Sequence, residues 1–402
     1  MSKKKVLLLE NIHDKAVEQF ENNGFSVERI SGALAPGELK EKIADVNVLG
    51  IRSKTKITED VIEAAPNLHA IGAFCIGTNQ IDIPKCSEKG IAIFNAPYSN
   101  TRSVVELALG QIIMLSRRIF EKSEKLHNGE WDKSAEGSVE IRGKKLGIIG
   151  YGNIGSQLSF IAEVMGMDVY YFDIEEKLAV GKAKKCSSMD EIFSTCDFVT
   201  VHVDGRPENK NIIGENEFSL MKEGSIFLNL SRGFVVDLQA LTKYLDSGKI
   251  KGAAIDVFPK EPKSNGENFD SVLRNQNNVI LTPHIGGSTL EAQENIADFV
   301  PEKIIKYLEH GSTIMSVNFP NLRLPELKDA HRIIHIHQNM PGVLADINSL
   351  FASQGINIRA QYLKTSNGIG YVISDVNKPF DEKTKAQLER MDATIRLRVL
   401  PE

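Results

Sequence analysis

The sequence contains few cysteines, and their spacing does not suit a metal site or a disulfide framework. Four cysteines and one tryptophan occur among the 402 residues. No two of these cysteines form a CxxC pair or another spacing typical of metal ligands. Isolated cysteines of this kind are usual in proteins of reducing compartments. We therefore expect reduced thiols, no bound metal and a cytoplasmic protein.

Long apolar segments and an excess of basic residues are also missing. The first apolar run, residues 6–9, ends at Glu10 and is too short for a secretory signal peptide. No segment approaches the ~20 apolar residues that a membrane-spanning helix needs. The net charge is −5, whereas non-specific binding to nucleic acid or anionic membranes requires a basic surface. We expect neither partner, although a few local cations can still bind a small anion.

Short apolar runs alternate with helical patterns in two parts of the chain. Such alternation predicts the α/β class, with a parallel sheet and helices on both faces. The first part covers residues 1–99, and the second runs from residue 144 to about 287. In the first part the predicted strands are 6–9, 46–51, 70–74 and 91–94, and the predicted helices are 14–22 and 58–64.

The remaining segments connect these parts or follow them. Residues 101–127 predict one long helix, and residues 289–310 predict a helix after the second alternation. Residues 319–328 hold Pro320 and Pro325 and show no clear periodicity, so we interpret them as a linker. The tail, 329–402, has the order β-α-β-β-α-β, which predicts a small ferredoxin-like domain.

A glycine-rich motif opens the second alternation. G-Y-G-N-I-G at 150–155 follows an apolar strand and precedes a helix. Gly150 would form the tight turn, Gly152 would let a pyrophosphate approach the backbone, and Gly155 would let helix and strand pack closely. A glycine turn that binds nothing is the alternative, but the strand–helix context favours a dinucleotide. The predicted cofactor contacts in this loop are Gly150, Gly152, Asn153, Ile154 and Gly155.

An acidic residue selects between the two nicotinamide cofactors. Asp173 ends the strand predicted at 167–172. Its carboxylate can accept hydrogen bonds from the ribose hydroxyls of NAD, but it would repel the 2′-phosphate of NADP. Two unit charges 4 Å apart repel by roughly 4 kcal/mol at an effective dielectric near 20. The sequence therefore predicts NAD.

Polar residues follow three later strands, predicted at 226–230, 253–258 and 279–282. Ligands of open α/β sheets lie beyond the carboxyl ends of the strands, where these residues fall. His284 can take a hydroxyl proton during hydride transfer, and Glu261 beside it would orient the ring and raise the pKa of His284. Arg232 can hold a substrate carboxylate. A histidine or an arginine after a strand is more often a plain surface residue, and Glu261 before a proline could be ordinary loop polarity, so only their joint placement indicates catalysis.

These motifs resemble those of the D-isomer-specific 2-hydroxyacid dehydrogenases. The resemblance rests on the glycine loop, S-R-G at 231–233, A-I-D-V-F at 254–258, and T-P-H-I-G-G at 282–287. It implies that Arg232, Glu261 and His284 are catalytic, that Asp256 contacts the nicotinamide carboxamide, and that Ser231 and Arg232 border the cofactor. It also implies a Rossmann-like NAD domain at 100–287 and a discontinuous, flavodoxin-like substrate domain made of 1–99 and 288–318.

One branch of that family, which oxidises 3-phospho-D-glycerate, is similar over essentially the whole chain. R-S-K-T at 52–55, GAFCIGTNQ at 72–80, NAPYSNTRSV at 95–104 and HIGGSTLEAQEN at 284–295 carry this resemblance. A phosphate needs a fixed cation, and Arg52 is the candidate, with a solvated loop cation as the alternative. The substrate contacts that the resemblance implies are Arg52, Ser53, Asn100 and Gln293.

The tail resembles an ACT regulatory domain through HIHQNMPGVL at 335–344. The serine-sensitive members of this branch bind L-serine between two ACT domains. The resemblance implies that His337, Asn339 and Asn357 contact the effector, and that the chain forms a homo-oligomer, a tetramer by analogy. An H-x-H pair can also bind a metal, but no further ligands accompany it here.

The expected activity is NAD-dependent oxidation of 3-phospho-D-glycerate to 3-phosphooxypyruvate, the first step of L-serine biosynthesis, with feedback inhibition by L-serine. Two alternatives stay open. The same mechanism can act on another 2-hydroxy acid, such as 2-hydroxyglutarate formed from 2-oxoglutarate. The fold can also serve a non-enzymatic NAD sensor.

Overall fold

The structure, a computed structural model, describes residues 3–262, 266–324, 331–366, 368–379 and 381–400. It divides into two compact units, one made of residues 1–99 and 293–402 and the other of residues 100–292. Among the described residues, no helix combines the length and apolar character needed to cross a membrane.

A five-stranded parallel sheet forms the centre of residues 1–99, with strand order β2-β1-β3-β4-β5. Three of its strands, β1, β3 and β4, lie inside the sheet and are almost wholly buried, as a parallel sheet covered on both faces requires. The elements are β1 (Lys5–Leu8), α1 (Asp14–Asn22), β2 (Ser26–Arg29), α2 (Pro36–Lys42), β3 (Val48–Ile51), α3 (Glu59–Glu63), β4 (Ala70–Ala73), α4 (Ile83–Glu88) and β5 (Ala92–Asn95).

The single helix predicted for residues 101–127 was wrong. The structure contains two helices, α5 (Thr101–Arg117) and α6 (Ile119–His127), separated by Arg118 in the left-handed conformation, with φ of 52°. The Arg118 side chain is held by Glu121, whose Oε2 lies 2.5 Å from Nε. The apolar period continues through the break, so hydrophobic patterning alone could not reveal a one-residue interruption.

A seven-stranded parallel sheet forms the second unit, with order β12-β11-β10-β9-β6-β7-β8. The strand order reverses beside β6, and ligands of doubly wound sheets bind at such a point. The elements are β6 (Lys145–Ile149), α7 (Asn153–Val164), β7 (Asp168–Phe172), β8 (Lys184–Lys185), α8 (Met189–Thr195), β9 (Phe198–Val201), α9 (Glu215–Leu220), β10 (Ser225–Asn229), α10 (Leu238–Asp246), β11 (Ile250–Ile255) and β12 (Val279–Leu281).

The C-terminal part begins with a long helix, α11 (Leu290–His310), and ends in a four-stranded antiparallel sheet of order β14-β15-β13-β16. The tail thus has the predicted β-α-β-β-α-β order. Its elements are β13 (His331–Gln338), α12 (Val343–Ser353), β14 (Ile358–Ser366), β15 (Ile369–Val376), α13 (Glu382–Glu389) and β16 (Thr394–Leu400).

The antiparallel sheet lies in the first unit and shares a core with the parallel sheet of residues 1–99. Phe94, Tyr307 and Tyr371 belong to one cluster of buried side chains that joins β5, α11 and β15. The Arg398 guanidinium donates to the carbonyl of Leu308 at 2.8 Å, near the end of α11. Phe319 is also buried in this cluster.

Part of the segment predicted as a linker therefore packs against the core. Phe319 is only 3% exposed, and its ring centroid lies 5.6 Å from that of Tyr371. Apolar side chains at 322 and 324 pack against the same cluster, whereas 325–328 lie outside the described residues. The second unit extends to residue 292, and within it Thr289 Oγ1 hydrogen bonds Ser103 Oγ at 2.8 Å.

Candidate active site

The predicted catalytic residues follow three neighbouring strands of the second unit. Arg232 comes after β10, Glu261 after β11 and His284 after β12, and these strands are adjacent in the sheet. All three strands run parallel, so their carboxyl ends meet at one edge. The topology of the sheet brings together three residues that lie far apart in sequence.

His284 and Glu261 form a direct pair. His284 Nδ1 lies 2.8 Å from Glu261 Oε2, and Glu261 Oε1 accepts a hydrogen bond from the Phe258 amide at 3.0 Å. The His284 side chain is 51% exposed. With Nδ1 donating to the carboxylate, Nε2 is the ring nitrogen that can exchange a proton with a substrate.

The pair shifts both pKa values in the directions that acid–base chemistry needs. The hydrogen bond that His284 donates to Glu261 raises the pKa of His284, aided by the charges of Glu261 and Asp256 and opposed by desolvation. Partial burial alone would raise the pKa of Glu261, but the hydrogen bonds from His284 and the Phe258 amide outweigh it and lower that pKa. Glu261 therefore stays ionised and stabilises the imidazolium form of His284.

Asp256 anchors the loop that carries His284. Its carboxylate is 1% exposed and accepts hydrogen bonds from Thr282 Oγ1 at 2.6 Å and from the amides of Ile285 and Gly286, each at 2.9 Å. His284 itself has φ of 55°, and its amide donates to the Asp256 carbonyl at 2.8 Å. Asp256 thus holds His284 in an otherwise unfavourable backbone conformation. Its contact with nicotinamide stays a prediction.

A buried amide, which the sequence did not single out, braces the turn before Arg232. Asn229 Oδ1 accepts from both the amide and the hydroxyl of Ser231, at 3.0 and 2.8 Å, and Asn229 Nδ2 donates to the Arg232 carbonyl at 3.1 Å. A signal was available, because Asn229 is a polar residue at the end of an apolar strand.

Glycines let the loops around Arg232 and Phe258 lie side by side. A Cβ at Gly233 would lie 1.9 Å from the Phe258 carbonyl carbon, so only glycine fits between the ends of β10 and β11. A Cβ at Gly205 would lie 3.3 Å from Arg232 Nε. Arg232 Nη1 also donates to the Ser231 carbonyl at 2.7 Å. Backbone packing therefore restricts where the Arg232 side chain can lie.

The glycine-rich loop has the geometry of a dinucleotide cradle. Gly150 has φ of 91°, and a Cβ there would lie 2.6 Å from the His202 carbonyl oxygen. A Cβ at Gly155 would lie 2.3 Å from the Gly150 carbonyl oxygen, so helix and loop are in contact. Nothing lies within 4 Å of a Cβ at Gly152, which leaves room for a pyrophosphate at the N-terminus of α7.

Asp173 lies beside the glycine-rich loop, where the ribose of a dinucleotide would lie next to the pyrophosphate. It comes directly after β7, and its Oδ2 accepts from the Tyr151 amide of the glycine loop at 2.7 Å. Its Oδ1 accepts from the Glu175 amide at 2.9 Å. These bonds fix the carboxylate against the loop that contains Asn153 and Ile154, so the chain's residues fit NAD.

The predicted substrate residues fall in both units. Asn100 lies in the second unit beside the His284 loop, since a Cβ at Gly287 would lie 2.2 Å from Asn100 Nδ2. Arg52 and Ser53 follow β3 in the first unit, and Gln293 lies in the part of α11 that belongs to it. Arg52 is half-buried and Ser53 is exposed.

The predicted effector residues differ in exposure. His337 is 3% exposed on β13, and its ring occupies the space above Gly370, where a Cβ would lie 2.1 Å from His337 Cε1. Asn339 and Asn357 are exposed at the ends of loops. Within the described ranges, no group of three or more His, Cys, Asp or Glu side chains is arranged to hold a metal.

Comparison with known proteins identifies the family. The chain is 51% identical over 400 residues to the D-3-phosphoglycerate dehydrogenase of Haemophilus influenzae, a match that covers 99% of this chain and 98% of that protein. It is 44% identical over 411 residues to D-3-phosphoglycerate dehydrogenase 1 of Saccharomyces cerevisiae, covering 98% and 87%. The chain belongs to the D-3-phosphoglycerate dehydrogenase family.

Matches to individual domains agree with this membership. The family described as "D-isomer specific 2-hydroxyacid dehydrogenase, NAD binding domain" matches residues 109–286, and "AHAS small subunit-like ACT domain" matches residues 333–396. They confirm the predicted enzyme class, NAD as the cofactor, and the ACT fold of the tail.

Solved structures support the same fold. D-2-hydroxyisocaproate dehydrogenase superposes with a TM-score of 0.71 at 24% identity, covering 78% of this chain and all of that one. The NAD-dependent formate dehydrogenase of Staphylococcus aureus, solved with NAD, gives a TM-score of 0.65 at 26% identity, covering 76% and 96%. The predicted fold class is confirmed.

Proposed function

We propose that the chain oxidises 3-phospho-D-glycerate to 3-phosphooxypyruvate with NAD, as the first step of L-serine biosynthesis. The observation that carries this proposal is the near-complete alignment with proteins named for that reaction. The His284–Glu261 pair beside Arg232 supports it, because a hydroxy acid must lose a proton from oxygen as hydride leaves its carbon.

The chain's residues divide the work of that reaction. Bound NAD supplies the hydride acceptor. His284 Nε2 takes the proton of the C2 hydroxyl while the C2–H bond breaks, and the ionised Glu261 stabilises the resulting imidazolium. Arg232 pairs with the substrate carboxylate and polarises the C2 oxygen. In the reverse direction, protonated His284 returns the proton to the carbonyl oxygen.

The rest of the predicted assignment is part of the proposal. Arg52 binds the phosphate, with Ser53, Asn100 and Gln293 at the substrate, and Asp256 meets the carboxamide. Residues 1–99 and 288–318 form the substrate domain, 100–287 the NAD domain and 329–402 the regulatory domain. The protein is a cytoplasmic homotetramer, and L-serine binds at His337, Asn339 and Asn357 between two ACT domains.

Oxidation of NADH with 3-phosphooxypyruvate, with and without millimolar L-serine, tests both parts of the proposal. We expect rapid oxidation that L-serine suppresses. Rapid oxidation that L-serine does not change would support the proposed reaction but would contradict L-serine as the effector of the ACT domain. Reduction of 2-oxoglutarate or glyoxylate in place of 3-phosphooxypyruvate would assign another hydroxy acid, and no turnover of any oxo acid would favour the NAD sensor.

A further inference from the structure

A buried carboxylate lies directly beneath the loop that carries Arg52. Glu10 is 8% exposed, and it accepts three backbone hydrogen bonds from that loop. Its Oε1 accepts from the amides of Arg52 at 3.1 Å and Thr55 at 2.8 Å, and its Oε2 accepts from the Lys54 amide at 3.0 Å.

The sheet brings Glu10 to this loop. β1 and β3 are neighbouring parallel strands, so the residues after Leu8 and after Ile51 meet at one edge of the sheet. Glu10 has φ of 61°, a left-handed conformation that side chains other than those of asparagine and aspartate rarely adopt. A glutamate kept in a strained backbone conformation and aimed at a neighbouring loop indicates a positional requirement.

A second side chain, that of Gln80, holds Arg52 through the backbone carbonyl of Arg52. Gln80 Nε2 donates to the Arg52 carbonyl at 2.7 Å, while Glu10 accepts from the Arg52 amide. Thr55, at the other end of the loop, is 1% exposed. Side chains from elsewhere in the unit therefore hydrogen bond both the amide and the carbonyl of Arg52. The backbone from which the Arg52 guanidinium extends is held in place.

The three converging amides would otherwise form an anion site. Backbone N–H groups that point to one centre bind carboxylates and phosphates. Here Glu10 already occupies that centre, so these three amides are not available to a substrate phosphate. The guanidinium of Arg52 is the charged group that this loop offers in a half-buried position.

We propose that Glu10 is a positioning residue for phosphate recognition, acting through the backbone of the Arg52 loop. This inference rests on the proposed role of Arg52 at the substrate phosphate. Glu10 touches no reacting atom. Its carboxylate sets the conformation of residues 52–55 and thereby the place from which the Arg52 guanidinium reaches the substrate.

Glu10→Gln provides the test, because its amide NH2 would face a backbone N–H and break at least one of the three bonds. The probes are 3-phosphooxypyruvate and 3-hydroxypyruvate, which differ by the phosphate. We expect kcat/KM to fall at least tenfold more for the phosphorylated substrate, mainly through KM. In an Arg52→Ala background, Glu10→Gln should leave the ratio between the two substrates within about twofold.

Controls separate positioning from stability and from the proposed function. Glu28→Gln, on neighbouring β2, removes an acidic group paired with Lys5 and Lys42 and should leave the substrate ratio unchanged. If Glu10→Gln does not fold by circular dichroism, Glu10→Asp keeps the charge, shortens the side chain and should give a smaller shift in the same direction.

The outcomes are distinct. A wild-type enzyme without preference for the phosphorylated substrate, or an Arg52→Ala variant that keeps that preference, would remove the phosphate assignment on which the inference rests. A strong preference that Arg52→Ala abolishes and Glu10→Gln retains would overturn the role of Glu10 alone. An equal loss for both substrates would reduce Glu10 to a structural residue.

Discussion

At the scale of single residues, a few hydrogen bonds determine the position of the His284 ring and of the loop that carries it. The His284 ring is oriented by Glu261, and the His284 backbone is held by Asp256 through Thr282 and two amides. Each contact joins residues separated by more than 20 positions in sequence. The proposed catalytic function of His284 therefore depends both on the partner of its ring and on the anchor of its loop.

Replacement of His284 by glutamine should abolish most turnover. Glutamine can still accept or donate a hydrogen bond, but it cannot take a proton at neutral pH. We expect kcat to fall by roughly 10²–10⁴, the usual contribution of general acid–base catalysis, with little change in NADH affinity. Steady-state kinetics with 3-phosphooxypyruvate and NADH binding by fluorescence measure the two quantities. Undiminished turnover would contradict the assignment.

Replacement of Glu261 by glutamine should shift the pH profile as well as lower the rate. Glu261 raises the pKa of His284, so its neutralisation lowers that pKa. Reduction of the oxo acid needs protonated His284, and its rate falls as pH rises through this pKa. The alkaline limb of kcat/KM for reduction should therefore move to lower pH. A limb that stays in place would assign the titration to another group.

At the scale of elements, the close approach of neighbouring strand ends determines how the site is assembled. β10 and β11 are so close beyond their carboxyl ends that Gly233 has no room for a side chain next to Phe258. This close approach places the turn that carries Arg232 next to the loop that carries Glu261. Activity and local stability are thus coupled at one backbone position.

Gly233→Ala should therefore destabilise the NAD-binding unit and reduce activity. The methyl group would overlap backbone atoms that cannot move independently, and overpacking of this kind costs about 1–3 kcal/mol. Thermal unfolding and kcat/KM measure the effects. Gly37→Ala is a matched control, because nothing lies within 4 Å of a Cβ there and alanine favours helix α2. Equal stability of the two variants would contradict the steric account.

At the scale of the whole molecule, buried histidines make stability depend on pH. Burial lowers the pKa of His202, in the NAD-binding unit, and of His335, in the antiparallel sheet, to about 4 from the ordinary value of 6.5. The unfolded chain binds protons near pH 6.5, whereas these folded sites do not. The contribution of these two histidines to folding stability is therefore fully present above about pH 6.5 and is lost as pH falls toward 4.

Each of these histidines should cost roughly 2 kcal/mol of stability at pH 5, from 1.5 pH units at 1.36 kcal/mol per unit. The midpoint of thermal unfolding, recorded from pH 8 to pH 5, should decrease toward the acid end. His202→Gln and His335→Gln should each flatten this dependence, while an exposed histidine such as His127 replaced by glutamine should not. Parallel curves for all variants would contradict the prediction.

Local sequence determined much of this protein. Local sequence patterns identified the glycine loop, Asp173 and the polar residues after three strands. These patterns are readable because each follows a strand of a parallel sheet. Helix α1 was predicted at its observed bounds because its apolar period begins and ends clearly. The β-α-β-β-α-β order of the tail could be predicted because the apolar patterns of its elements also begin and end clearly.

Only the tertiary structure decided the features that depend on contacts between distant segments. The break at Arg118 interrupts no apolar period, and the half-exposed strand β2 carries a weak pattern. The roles of Glu10 and Asn229, and the anchoring of the His284 loop by Asp256, arise where parallel strands end side by side. A side chain's neighbours across a sheet are set by strand order, which no local pattern contains, and therefore these residues acquire their function only in the folded chain.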